Sequence, residues 1–178
     1  MKIAITGHSK GIGKACFDLL SKNHQVEGFS RSNGFDIETK HQLIVRAVQN
    51  FDVFINNAWS GFTQITLLNS VFDLWKDDET KTIVNVSSLS KYPGVSGNTG
   101  GYSATKAALS HQAFLLMFKT NRKCRIVNIN PGYVKTDMVS SIKDKNMLTP
   151  EEVAESIAWA INQPQHIEIG ELSLWRPF

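Results

Sequence analysis

The chain reads as an α/β protein: a single domain, residues 1–178, built on a doubly wound parallel sheet with helices on both faces. Three observations predict this. Short runs rich in Ile, Val and Phe alternate along the whole chain with longer helical patterns, the order of a parallel sheet with crossover helices. These runs are nearly continuous in hydrophobicity, as strands buried on both faces must be. The 178 residues, 42% hydrophobic and 20% charged, suffice for one well-packed domain, and no linker, internal repeat or low-complexity tract divides them.

In order, "KIAIT" is the first strand and residues 10–22 the first helix, followed by "QVEGFS" and a helix over 38–50. "FDVFIN" then precedes a helix over 65–78, and "KTIVNVS" a helix over 102–121. "CRIVNIN", a helix over 150–162 and the strand "IEIGELSLW" close the pattern. Right-handed crossovers between such strands put helices on both faces. The segment "SLSKYPGVSGNTGG", residues 88–101, follows a strand and reads as a functional loop at the carboxyl edge of the sheet, where such folds bind ligands.

Composition excludes several classes. No apolar run approaches the ~20 residues of a membrane span, and the start "MKIAITGHSKG" has neither the apolar core nor the cleavage site of a signal peptide. The expectation is a cytoplasmic protein. Cys16 and Cys124 are too isolated for a disulfide framework, and the five histidines share no ligand-like spacing, so free thiols and no metal are expected. The net charge is +3, and the densest basic run, "KTNRKCR" at 119–125, falls where a helix ends. Cations suit a helix C-terminus, and no aromatic residues interleave them as a nucleic-acid stacking platform would need. No nucleic-acid partner is expected.

The first strand runs into "TGHSKGIG", with Gly7, Gly11 and Gly13 opening the first helix. Glycine serves there because the turn is tight and the backbone must approach a pyrophosphate whose charge the helix N-terminus stabilises. A generic glycine-using turn is the alternative. Further along stand "NNA" at 56–58, "VNVSS", "YSATK" and "NPGYVKT" at 130–136. In this order the marks resemble those of the short-chain dehydrogenase/reductase family, in an unusually short member: its T-G-x-x-x-G-I-G turn, its N-N-A-G element, its serine strand and its Y-x-x-x-K helix. The tail from "LTPEEVAESIAWAINQ" to "GELSLW" is similar to the family's closing helix and strand. The resemblance implies a Rossmann fold and a nicotinamide cofactor. It assigns Gly7, Ser9, Lys10, Gly11, Ile12 and Gly13 of the turn to that cofactor, with Asn57 and Ala58, and with Pro131, Gly132, Val134 and Thr136.

An NAD site usually presents an acid after the second strand, whereas a 2′-phosphate calls for a cation. This chain offers Arg31 in "GFSRS", and Lys10 in the glycine turn lies on a plausible path to the same phosphate. The reading is NADP(H) in preference to NAD(H), with solvated surface cations as the alternative. Asp36 and Ile37 resemble the family's acid-plus-aliphatic element beside the adenine, although "FDIE" could equally cap the following helix.

Tyr102 and Lys106 stand four residues apart and so share a helical face. Spacing alone leaves them either a surface pair or an acid site. Hydride transfer to a carbonyl leaves an alkoxide that needs a proton, and a nearby ammonium would lower the phenol's ordinary pKa of ~10. The resemblance implies that Tyr102 is the general acid and base, that Lys106 also holds the nicotinamide ribose and that Ser88 donates to the substrate oxygen. Ser88 is preferred to Ser87 for its spacing from the tyrosine. The implied activity is hydride transfer between NADP(H) and a small carbonyl or alcohol. A cofactor-binding sensor or regulatory subunit without turnover is the alternative.

The chain departs from the family in length, with much of the shortening between "NNA" and "VNVSS". That is where the family carries a helical asparagine linking the lysine through water to solvent. The expected position falls near Gly61, which cannot serve; Gln64 or Asn69 could substitute if the helix is shifted, and the fourth position is left unassigned. Trp59 replaces the family's glycine after "NNA" and is read as core packing ahead of a pocket wall or a blocked pocket. The stretch "DMVSSIKDKNMLT" is short for a substrate lid. The apolar residues of "ALSHQAFLLMF" exceed one helical face, which fits the family's helix-mediated homodimers or homotetramers as well as it fits simple core packing; the tail "WRPF" could bury against a partner in the same way.

Overall fold

A computed structural model describes residues 1–94, 100–140 and 146–177. Six strands, β1 (Lys2–Thr6), β2 (Gln25–Phe29), β3 (Val53–Asn56), β4 (Thr82–Val86), β5 (Arg125–Pro131) and β6 (Glu171–Leu174), form one parallel sheet in the order β2-β1-β3-β4-β5-β6. Five helices connect them: α1 (Gly11–Leu20), α2 (Ile37–Ala47), α3 (Thr63–Trp75), α4 (Gly101–Met117) and α5 (Pro150–Ile161). Parallel pairing requires such crossovers. Winding reverses between β1 and β3, so the crevice for a ligand opens at the carboxyl ends of those two strands.

Alternate strand residues feed two cores. Phe54, Ile83 and Ile126 face α2, α3 and α4, where Leu67, Leu68, Phe72, Trp75 and Leu109 are buried. Their neighbours Ile55, Val84 and Val127 face α1 and α5, against Cys16, Ile157 and Ile161. This two-sided burial is why the inner strands β1, β3, β4 and β5 show no regular polar alternation, whereas the less buried edge strands β2 and β6 carry Gln25 and Glu27, and Glu171 and Ser173, at alternate positions. Both cysteines are buried and free, and burial pushes the Cys16 thiol up to about 12.

Local signals set the boundaries. Asp36 caps α2 by accepting from the Glu38 N–H at 2.9 Å. Thr149 and Glu152 form a capping box with Pro150 in the first turn of α5, the arrangement that satisfies otherwise orphaned N–H groups. Helix α3 begins two residues before the expected 65 and ends before 78, which brings Gln64 into its first turn. The last strand is Glu171–Leu174 alone. Helix α4 ends at Met117, short of the expected 121, and the basic run follows it.

Candidate active site

Most of the residues singled out by sequence line one cleft of about 710 Å³ at the carboxyl edge of the sheet, running from the β1–α1 turn to the start of α4. Gly13 is the exception, since its role is to let the turn close. A Cβ there would lie 2.2 Å from the Gly7 carbonyl oxygen and 2.6 Å from Asn57 Nδ2, so no larger residue fits. A Cβ at Gly11, whose φ is +52°, would come within 3.0 Å of Thr136 Cγ2. Asn57 ties the two walls together by donating to the Thr6 carbonyl at 3.0 Å, while the N–H groups of Asn57 and Ala58 both donate to Thr6 Oγ1. The mouth of α1 has no side-chain cap and no acid in its first turn. Its first N–H groups therefore face the cleft available to an anion.

At this end two of the assigned residues have partners of their own. Lys10 Nζ forms an exposed ion pair with Asp137 at 3.1 Å, tying the glycine turn to the segment after Thr136. Arg31 makes no ion pair among the described residues and also lines the cleft. Asp36 borders the cleft but spends one carboxylate oxygen on the α2 cap, as the helix-cap alternative anticipates. Glu38 and Ser60, which the sequence reading did not single out, also line it and hydrogen-bond to each other.

The other end is assembled from α3, α4 and the end of β4. Ser88 caps a single turn over Leu89–Lys91; its Oγ accepts from the Ser90 N–H at 3.1 Å and the Ser90 hydroxyl at 3.0 Å. The Ser88 side chain also acts on the Tyr102 phenol, whose pKa it lowers. Ser87 points elsewhere, buried between the Lys106 carbonyl and Ser110 Oγ. The Lys106 ammonium lies 5.6 Å from the centroid of the Tyr102 ring. It donates to Gln64 Oε1 at 2.9 Å and to the Val86 carbonyl at 2.7 Å.

The expected lowering of the tyrosine is not what the structure has. Burial holds the Tyr102 phenol above its ordinary value, and only the Ser88 side chain opposes this. Lys106 is itself pulled down to about 7 by burial. With its ammonium bonded to Gln64 and Val86, it does not outweigh desolvation of the phenol.

Trp59 corrects another expectation, because it is not in the core. It is 40% exposed and lines the cleft, where its ring meets Tyr102 edge-on at 5.2 Å and its Nε1 donates to Thr105 Oγ1 at 3.0 Å. It walls the site beside the tyrosine. Asn69 faces away and accepts from Gln112 at 2.8 Å. Parts of the 88–101 loop and of the stretch after Thr136, as well as Phe178 of the tail, lie outside the described residues.

Among the described residues no group of three His, Cys, Asp or Glu could hold a metal ion, and no helix is long and apolar enough to cross a membrane.

The sequence profile of the short chain dehydrogenase family matches residues 60–147. An oxidoreductase of Staphylococcus aureus strain MRSA252 is 30% identical over an alignment covering 97% of this chain and 96% of that protein. The alignment runs to 224 positions, longer than the chain, so the relative carries insertions that are missing here. Among solved structures, a 3-ketoacyl-(acyl-carrier-protein) reductase from Brucella melitensis in complex with NADH superposes with a TM-score of 0.82 at 19% identity, covering 98% of this chain and 96% of that one. An alcohol dehydrogenase from Thermococcus sibiricus in complex with 5-hydroxy-NADP has a TM-score of 0.74 at 21% identity, with coverage of 99% and 97%. With the six-stranded parallel sheet and its cleft, these similarities establish that the chain belongs to the short-chain dehydrogenase/reductase family of oxidoreductases.

Proposed function

We propose that this chain is an NADP(H)-dependent reductase or alcohol dehydrogenase acting on a small carbonyl or alcohol, with Tyr102 as general acid and base. The observation that carries the reading is the convergence of Ser88, Tyr102 and Lys106 at one end of the cleft whose other end is the glycine turn. That cleft suits a dinucleotide: an uncapped helix N-terminus for the pyrophosphate, and a passage that Gly7 and Gly11 keep open between Asn57, Ala58 and Thr136. Ser9, Ile12, Ala58, Pro131, Gly132 and Val134 line it, and Ile37 and Asp36 border its adenine end. The cofactor supplies or accepts the hydride.

The chain's own part is protonic. Tyr102, a phenol whose ordinary pKa of ~10 keeps it protonated at neutral pH and which burial raises further, is placed to deliver a proton to a developing alkoxide. The Ser88 hydroxyl accepts twice from Ser90, which leaves its proton for the oxygens in the cleft. Lys106 contributes a donor from below. Trp59 covers one side of the tyrosine and limits water there.

Arg31, free of acidic partners among the described residues, favours the 2′-phosphate. Lys10 can join it at little cost, because an exposed pair such as Lys10–Asp137 is worth about 0–1 kcal/mol. Exposed Phe114, Leu115 and Phe118 on and just beyond α4 support a homodimer or homotetramer packed through that helix, and the reduced, buried thiols suit a cytoplasmic location.

Titration with NADPH and NADH, followed by a carbonyl panel, tests the reading. The expected result is tighter binding of NADPH and turnover that Tyr102→Phe abolishes without loss of cofactor binding. Equal binding of both cofactors would remove the phosphate role from Arg31 and Lys10. Binding without any turnover would make the protein a cofactor sensor.

A further inference from the structure

The fully buried Gln64 is fixed in orientation by the fold. Its Nε2 donates both protons, to the Asn56 carbonyl at 2.7 Å and the Val86 carbonyl at 3.1 Å, while Asn56 Nδ2 donates back to the Gln64 carbonyl at 2.9 Å and to Asn85 Oδ1 at 3.1 Å. Reversing the amide would leave two carbonyls facing an oxygen and turn N–H donors toward the Lys106 ammonium. The Oε1 atom therefore has to point at Lys106, 2.9 Å away.

We propose that Gln64 is the positioning residue of this site, its locked amide oxygen accepting a hydrogen bond from the Lys106 ammonium directly, where solvent would otherwise supply the acceptor. The proposal rests on the assignment of Tyr102 and Lys106 as the reacting end. Two of the three Lys106 protons are committed, to Gln64 and Val86, and the third is left for the cleft that the residue lines. The charge is thus presented to the cleft in one direction.

The groups around the ammonium make this acceptor matter. Tyr102 is the titratable group that faces it, from α4 itself. From α3 comes the neutral Gln64, and from β4 the Val86 carbonyl; Ser87 bonds the Lys106 carbonyl and Ser110 instead. Trp59, from the loop after β3, spends its N–H on Thr105. No carboxylate bonds the ammonium among the described residues, so its charged form depends on hydrogen bonds alone to resist desolvation.

The test is an NMR titration of the lysine Nζ groups on the full cofactor-free chain, with the Lys106 signal identified by its loss in Lys106→Met. In Gln64→Met, which keeps the length and removes the acceptor, the Lys106 midpoint should fall by about one to two pH units, the size of a charge-assisted hydrogen bond. In Gln64→Glu it should rise, because a carboxylate replaces the amide oxygen. A purely structural glutamine would lower the melting temperature and leave both midpoints unmoved, and that result overturns the proposal. Should Gln64→Met fail to fold, Gln64→Glu decides alone. Neither measurement needs turnover or cofactor, so a protein with no reductase activity can still pass this test, and an active one can fail it.

Discussion

A methyl group added to Gly13 would come within 2.2 Å of the Gly7 carbonyl oxygen. At the opposite end of the same cleft the constraint is of another kind, with the Lys106 ammonium resting on two acceptors, one of which is itself held by two backbone carbonyls. The glycine end is shaped by backbones in contact and tolerates no added atom. The lysine end is shaped by buried polar groups and tolerates no lost partner. Steric exclusion acts at each residue separately, whereas a hydrogen-bonded network spreads the cost of one change over all its members. The two ends should therefore respond differently to mutation.

The largest loss of stability is expected at the glycine end. Gly13→Ala should cost about 3 kcal/mol or more, because the clash is with backbone that cannot move aside. Denaturant unfolding reads it, and a variant as stable as the wild type would mean that the two ends do not differ in this way.

Removing the lysine should act through pH. In the unfolded chain Lys106 titrates near its ordinary 10.5, and in the folded one burial lowers this to about 7. Between those values the unfolded state binds the extra proton, so this group makes the protein more stable as pH rises and carries its full penalty below pH 7. The difference in unfolding free energy, wild type minus Lys106→Met, should climb by up to ~1.4 kcal/mol per pH unit across that window. Paired denaturant titrations at several pH values check it. A flat difference would show that the ammonium is solvated in the folded chain.

Trp59→Phe should have the smallest effect. It keeps an aromatic edge against Tyr102 and removes only the donor to Thr105, a loss of about 0.5–1.5 kcal/mol. Thermal melting measures this, and a larger drop would mean that Trp59 belongs to the network rather than to the wall.

Much of the glycine end was legible in the chain because its information is local. Gly7, Gly11 and Gly13 announce a tight turn by what they lack, and the strands by their unbroken Ile/Val runs. For Tyr102 and Lys106 a spacing of four fixed the shared helical face but left a surface pair open; the order of the family's marks along the chain singled them out. Gln64 was visible only as one of two candidates. Choosing it over Asn69 depends on α3 starting at Thr63, a shift of two residues that turns one side chain toward Lys106 while the other meets Gln112. Trp59 was misplaced for a related reason: aromatic residues favour cores on average, and this one spends its N–H on Thr105, a residue 46 positions away.

By itself the amino-acid sequence determined the alternation of strands and helices, the glycine turn that opens the first helix and the order of the serine, tyrosine and lysine. These follow from hydrophobic periodicity, backbone freedom and helical spacing, all of which act between near neighbours. The tertiary structure alone decided that Gln64 bears on Lys106, that Lys10 pairs with Asp137 and that the phenol of Tyr102 is raised rather than lowered. Each of these depends on how much water is excluded and which distant groups are left facing one another, and both are settled only when the sheet and its two helical layers close.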